Sequence, residues 1–125
     1  VSLDDPVFYH WHHYERTHLA KMGERWGEDP AKVSFVLDRL EDLSPWATKG
    51  YAFPAYSEGL KAIAKSLGFK WQQDDVSGVG SMALYESFVN SGGTDQNSKD
   101  KIIIYNEDDC FATMHIYDWV MAQQT

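Results

Sequence analysis

Asp109 stands where an amphipathic helix should be apolar. The segment from Lys99 to Gln124 reads as one long helix. Its apolar stripe runs Ile102, Tyr105, Ala112, Ile116 and Val120, mostly at steps of three and four. Asp109 falls in that stripe, four residues after Tyr105 and three before Ala112. Its neighbour Asp108 lies about 100° round the helix and is expected to face solvent. An unpaired buried carboxylate is costly, so such groups are normally paired or bound to metal. Two readings follow for Asp109: a carboxylate paired with a buried Arg or capping a neighbouring helix, or a metal ligand.

A second acid repeats the pattern. Glu15, Leu19, Met22 and Trp26 are spaced four, three and four, which places Glu15 on an apolar helical face. Glu15 also lies in a first turn, where the helix dipole favours a carboxylate, and that is its plain structural reading. Two inward carboxylates from separate helices suit a hard divalent cation such as Mg²⁺ or Mn²⁺.

The histidines offer a rival chemistry. His10, His12, His13 and His18 lie close together, and His115 stands on the last helix. Zn²⁺ favours imidazole, yet no Cys pair accompanies them and no two of the four stand four residues apart. The simpler expectation is one buried His, with the others near the C-terminal edge of a strand. A ligand site forms at such an edge, which makes His12 and His13 candidate substrate contacts. Trp46, Tyr51, Phe53 and Tyr56 could stack on bases, but such residues more often cover a core. Cys110, the one cysteine, is expected to be a small packing residue and excludes a disulfide framework.

These groups must be positioned by one domain or part of one. The chain has 125 residues, 43% hydrophobic and 14% aromatic, enough for a sizeable core. No apolar run approaches a membrane span and no signal-peptide pattern is present. With the single cysteine, this sets a reducing, cytoplasmic location as the expectation. The net charge of -8 argues against bulk electrostatic binding of nucleic acid. A nucleic-acid enzyme whose ions offset the phosphate charge remains compatible with it.

The punctuation of the chain predicts its elements. Pro6–Trp11 reads as a buried strand, followed by a helix from Tyr14 to Trp26. Asp29 caps a second helix with Pro30 at its first position, running to about Asp42. Leu43–Tyr56 reads as an aromatic loop. Ser57 starts a third helix that Gly68 ends. Gln72–Gly80 reads as polar turn, and Ser81–Val89 as a fourth helix that stops at Gly92-Gly93. Asn97 or Ser98 is expected to cap the last. One strand cannot satisfy its own backbone, so a partner is required, either from the aromatic loop or from outside these residues. The abrupt opening suggests part of a larger protein, and an unpaired sheet edge would favour self-association.

The run Tyr105-Asn-Glu-Asp-Asp109-Cys-Phe-Ala-Thr113, with Tyr117-Asp-Trp119 beyond it, resembles the third motif of DEDD-type 3′–5′ exonucleases of the ribonuclease-H-like superfamily. The Tyr-x-x-x-Asp pair is that of the tyrosine subtype. More narrowly, the chain is similar to the ribonuclease-H-like domain of RecB-like nucleases. The further blocks are Tyr9-His-Trp-His-His-Tyr-Glu15, Ser57-Glu-Gly-Leu-Lys-Ala-Ile-Ala-Lys-Ser-Leu-Gly-Phe69, and Ser77-Gly-Val-Gly-Ser81 leading to Tyr85-Glu86. Together they cover about Pro6 to Met121.

The resemblance implies an α/β fold, here a helix-rich C-terminal portion with one or two strands. It implies hydrolysis of phosphodiester bonds in DNA or RNA by two divalent ions held by four carboxylates. Asp109 would be a metal ligand and Tyr105 would position the attacking water. Glu15, in place of an aspartate, would be a metal or outer-sphere ligand. Lys61, on a helix near the cleft, would be a candidate phosphate contact; lysines solvated on an amphipathic helix are the plainer reading. The family's first motif, Asp-x-Glu on an opening strand, is absent from these residues. The expectation is therefore a C-terminal part of the domain, needing an upstream part of the same protein, with little or no nuclease activity by itself. The alternative is a non-catalytic, nuclease-like interaction module.

Overall fold

The structure is a computed structural model, and it describes residues 4–73 and 78–124. The chain forms two compact units. The first comprises Val1–Pro54 with Val120–Thr125, the second Ala55–Trp119.

The first unit opens with β1 (Phe8–His10), followed by α1 (Tyr14–Trp26) and α2 (Pro30–Leu37). β2 (Leu40–Asp42) then pairs parallel with β1, with His10 opposite Asp42 in the register. So the sheet partner does lie within the chain. It occupies the stretch expected to end the second helix, because Val36, Leu37 and Leu40 fit a helical stripe and a short strand equally well. The switch is made at Arg39. Its N–H turns back to Val36 O at 3.0 Å, and its guanidinium lies 3.8 Å from the Phe35 ring centre. Its carbonyl then accepts the Phe8 N–H at 2.8 Å.

The expected cap of α2 is present: Asp29 Oδ1 accepts the Ala31 N–H at 3.0 Å, with Pro30 at the first position. The loop expected from Leu43 instead begins with α3 (Ser44–Thr48). Trp46 packs edge-on to Tyr9, and Trp11, Leu43, Ala47 and Val120 are buried. α1 buries no residue. The expected inward face is turned out: Glu15, Met22 and Trp26 are exposed, and Leu19 is half-buried. The reason is Gly23. A Cβ there would meet Val33 Cγ2 at 2.9 Å, so α1 approaches α2 through its glycine side.

In the second unit α4 (Leu60–Ser66) begins after the expected start. Ser57 does not cap it, since its Oγ accepts the Gly59 N–H at 3.4 Å and Gly59 is the N-cap. Gly68, with φ of 87°, ends the turn beyond the helix in the left-handed region that favours glycine. α5 (Gly78–Asn90) follows, while most of the expected polar turn lies outside the described residues. α6 (Gln96–Ala122) is the long helix. Asp95 caps it rather than Asn97 or Ser98, accepting the Ser98 N–H at 3.1 Å and the Ser98 hydroxyl at 2.7 Å. Ala62, Ile63 and Ala64 of α4, Trp71, and Ala112 and Ile116 of α6 are buried. No helix among the described residues is long and apolar enough to cross a membrane.

Candidate functional site: two clamped acids on the last helix

The segment after α4 crosses α6 and takes hold of two consecutive acids with two consecutive residues. The Trp71 indole N–H donates to Asp109 Oδ1 at 2.9 Å. The Gln72 backbone N–H donates to Asp108 Oδ2 at 2.9 Å, and its amide to Asp108 Oδ1 at 2.9 Å. Asp108 is 3% exposed, so the expectation that it faces solvent is overturned. Asp109 is half-buried, at the edge of the stripe rather than its centre. Asp108 sits three residues after Tyr105 and four before Ala112, so it fits the stripe as well as Asp109 does. The roll of the helix decides between them, and the Gln72 donors make burial of Asp108 tolerable.

Tyr105 stands one turn before Asp109 and is half-buried. Burial pushes its phenol above the ordinary value, and the Asp109 carboxylate adds to the shift. The phenol is thus held in its protonated form, able to donate. Lys61 is half-buried on α4, with Nζ 5.6 Å from the centre of the Trp71 ring. His115 Nε2 lies 2.9 Å from Leu67 O, near the end of α4. Cys110 is exposed, not packed.

The other candidates belong to the first unit. His10 is the buried histidine, 7% exposed. Its Nδ1 lies 3.5 Å from Glu15 Oε2, and Glu15 itself is exposed. His12 and His13 are exposed just past the end of β1. His12 has φ of 63°, and its N–H donates to Asp42 Oδ1 at 3.0 Å. Asp42 also accepts the Ser44 N–H at 2.9 Å and hydroxyl at 2.7 Å. Partial burial works against its ionised form, but these bonds outweigh it and hold the carboxyl below its ordinary value. Sequence reasoning missed Asp42 because it stood at the expected end of a helix. It missed Trp71 and Gln72 because nothing local marks a partner 36 or 38 residues away.

Among the described residues no group of three or more His, Cys, Asp or Glu could hold a metal ion. The donor chemistry of Asp109, a hard oxygen oriented by a neutral N–H, fits one ligand of a Mg²⁺ or Mn²⁺ ion. It does not amount to a complete two-ion set.

A parallel strand pair joined through helices makes this an α/β protein. The family model of the RNase_H superfamily matches residues 2–121. The chain belongs to the RNase H superfamily and forms a nuclease-like domain of it. Comparison with curated proteins gave no match, and neither did comparison with solved structures.

Proposed function

We propose that this chain is part of a metal-dependent nuclease of the DEDDy 3′–5′ exonuclease type, related to RecB-like nucleases, acting on DNA or RNA ends. The observation that carries the reading is Asp109. It is a carboxylate oriented by a buried indole, with a protonated tyrosine one helical turn away, in a chain of the RNase H superfamily.

Mg²⁺ or Mn²⁺, when bound in the intact domain, supplies an activated water and stabilises the leaving oxygen. Asp109 would hold one such ion, and Tyr105, as a phenol, would orient the water by hydrogen bonding. Glu15 would serve as a metal or outer-sphere ligand, as the resemblance implies. Lys61 would meet a substrate phosphate, and His12 and His13 would contact the nucleic acid. No Asp-x-Glu occurs in these residues, so the chain alone is expected to have little activity.

One observation favours a second reading, a non-catalytic nuclease-like module. Asp108 and Asp109 are both engaged by neutral donors, and no three-residue metal group is present among the described residues. Titration with Mn²⁺, followed by electron paramagnetic resonance of the free ion, separates the two. Binding that weakens in Asp109→Asn supports the nuclease. Absence of binding even after an upstream Asp-x-Glu strand is supplied supports the module.

A further inference from the structure

The net charge of -8 leaves no bulk attraction for a polyanion, so a strand has to be held by a local arrangement. α1 carries one. Tyr14, His18, Lys21 and Arg25 are spaced four, three and four and fall within about 60° of one another round the helix. α1 buries no residue, and all four of these side chains are exposed. Their stripe runs beside that of Glu15, Leu19, Met22 and Trp26, offset from it by one residue.

The acids of the helix stand off this stripe. Glu15 lies about 100° round from Tyr14 and meets His10, with Oε2 3.5 Å from Nδ1. Glu24 lies about 80° to the other side. With Glu28 it lines the groove between α1 and α2, beside Gly23 and Val33. Neither Lys21 nor Arg25 forms an ion pair among the described residues. Arg25 is instead laid against Trp26, its guanidinium carbon 5.1 Å from the ring centre. That contact holds the charge in place without neutralising it.

The N-terminal end of the stripe is aromatic. Tyr14 and His18 stack with ring centres 4.0 Å apart and planes 35° from parallel. Tyr14 is still 66% exposed, so the ring surface that the imidazole does not cover is open to a ligand. Lys21 and Arg25 follow about two and three turns further on, the whole stripe spanning about 16 Å. A fixed, exposed ring followed by unneutralised cations is the composition that tracks a single strand: ring surface for a base, cations for the backbone. An acidic peptide would answer the cations but leave the stacked ring without a counterpart.

We infer that this stripe of α1 is a binding track for single-stranded nucleic acid, with a base stacked on Tyr14 and backbone phosphates at Lys21 and Arg25. The inference rests on the nuclease reading for the class of ligand, but it needs no metal. The stacked base lies beside Glu15, which the same reading makes a metal or outer-sphere ligand.

The test is fluorescence anisotropy of the full chain with labelled oligothymidylate and oligouridylate, in EDTA, over a salt series. Tyr14→Ala should weaken binding by about 5- to 150-fold, the loss of one base–aromatic stack, with the salt slope unchanged. Tyr14→Phe keeps the ring and should keep the affinity. Each cation that neutralises one phosphate of a single strand contributes about 0.7 to the slope of log K against log salt. Lys21→Gln and Arg25→Gln should each weaken binding and flatten the slope by about 0.7, and the double variant by about twice that. Lys32→Gln, the same charge change on α2, should leave the slope unchanged. Equal slopes in wild type and the double variant overturn the track, as does undiminished binding in Tyr14→Ala or an equal loss in Lys32→Gln. Labelled oligoglutamate that binds as tightly and is lost in the same variants overturns it in favour of an acidic protein partner. A wild-type chain that binds neither oligonucleotide also overturns it, while leaving the Mn²⁺ result at Asp109 to judge the nuclease reading. Binding of both oligonucleotides supports the track for single strands of either kind, and binding of one alone names DNA or RNA as its ligand.

Discussion

Trp71 and Asp109 are 38 residues apart in the chain and joined by a 2.9 Å hydrogen bond from indole to carboxylate. The adjacent residue, Gln72, holds the adjacent acid, Asp108. One dipeptide thus fixes the roll of α6 and the orientation of the acid on which the nuclease reading depends.

Trp71→Phe keeps a ring in the core and deletes the donor. It should lower the unfolding free energy by about 2 kcal/mol, from the lost bond to a charged group and the smaller ring. Urea denaturation measures this. In the wild type, the indole ¹H–¹⁵N peak of Trp71 should be the one among five tryptophans that moves in Asp109→Ala. If all five peaks stay in place, the hydrogen bond is not formed in solution.

The two acids should separate in their roles. Asp108→Ala leaves the Gln72 N–H and amide without their acceptor and should cost about 1–2 kcal/mol. Asp109→Asn retains an acceptor for Trp71 and should change stability by less than about 1 kcal/mol, while weakening Mn²⁺ binding. A variant pair with the opposite order, Asp109→Asn unfolding and Asp108→Ala neutral, would contradict the geometry.

Tyr105 should titrate late. Its phenol is raised above 10.0, so the folded state favours the neutral form. Any stability it lends is therefore complete below pH 10.0 and is lost as pH rises toward the raised value, since the unfolded chain ionises first. Absorbance near the phenolate band should show a late-titrating tyrosine that Tyr105→Phe removes. Asp109→Asn should bring that titration down, because the smaller part of the shift comes from its charge.

Asp42 should matter in acid. Its carboxyl is held below 3.8, so its contribution is fully present above that value. It is lost as pH falls below 3.8 through the depressed folded value, because the native state then has to take up a proton that the unfolded chain already carries. Wild type should be more stable than Asp42→Asn at neutral pH, with the gap closing under strong acid. A gap that widens in acid refutes the assignment.

Activity is the last test. The isolated chain incubated with single-stranded DNA and Mn²⁺ should digest little of it. Robust digestion abolished by Asp109→Asn would overturn the expectation that the chain needs an upstream part of the same protein to act.

Much of this was legible in the residues. Asp29-Pro30 marked the start of α2, and the apolar stripe of α6 holds at Ala112, Ile116 and Val120. The blocks around Glu15, Lys61 and Asp109 pointed to the superfamily that the match over residues 2–121 establishes. Less was legible where two periodicities coincide. Leu40 suits a helix or a strand, and only the parallel pairing with β1 makes it strand. On α1 the stripe of Glu15, Leu19, Met22 and Trp26 was real but did not choose the packed face. The close approach at Gly23 chose it.

By itself the sequence determined the helix-rich α/β class, the superfamily and the acids worth watching, because local propensity and motif spacing are written along the chain. Tertiary structure alone decided that Asp108 is the buried acid and Asp109 the half-exposed one. Both fit the same helical stripe, and a difference of about 100° of roll is settled only by what packs against the helix. Here that is Trp71 and Gln72, whose hydrogen bonds are set by a chain reversal at Gly68 and not by any local pattern.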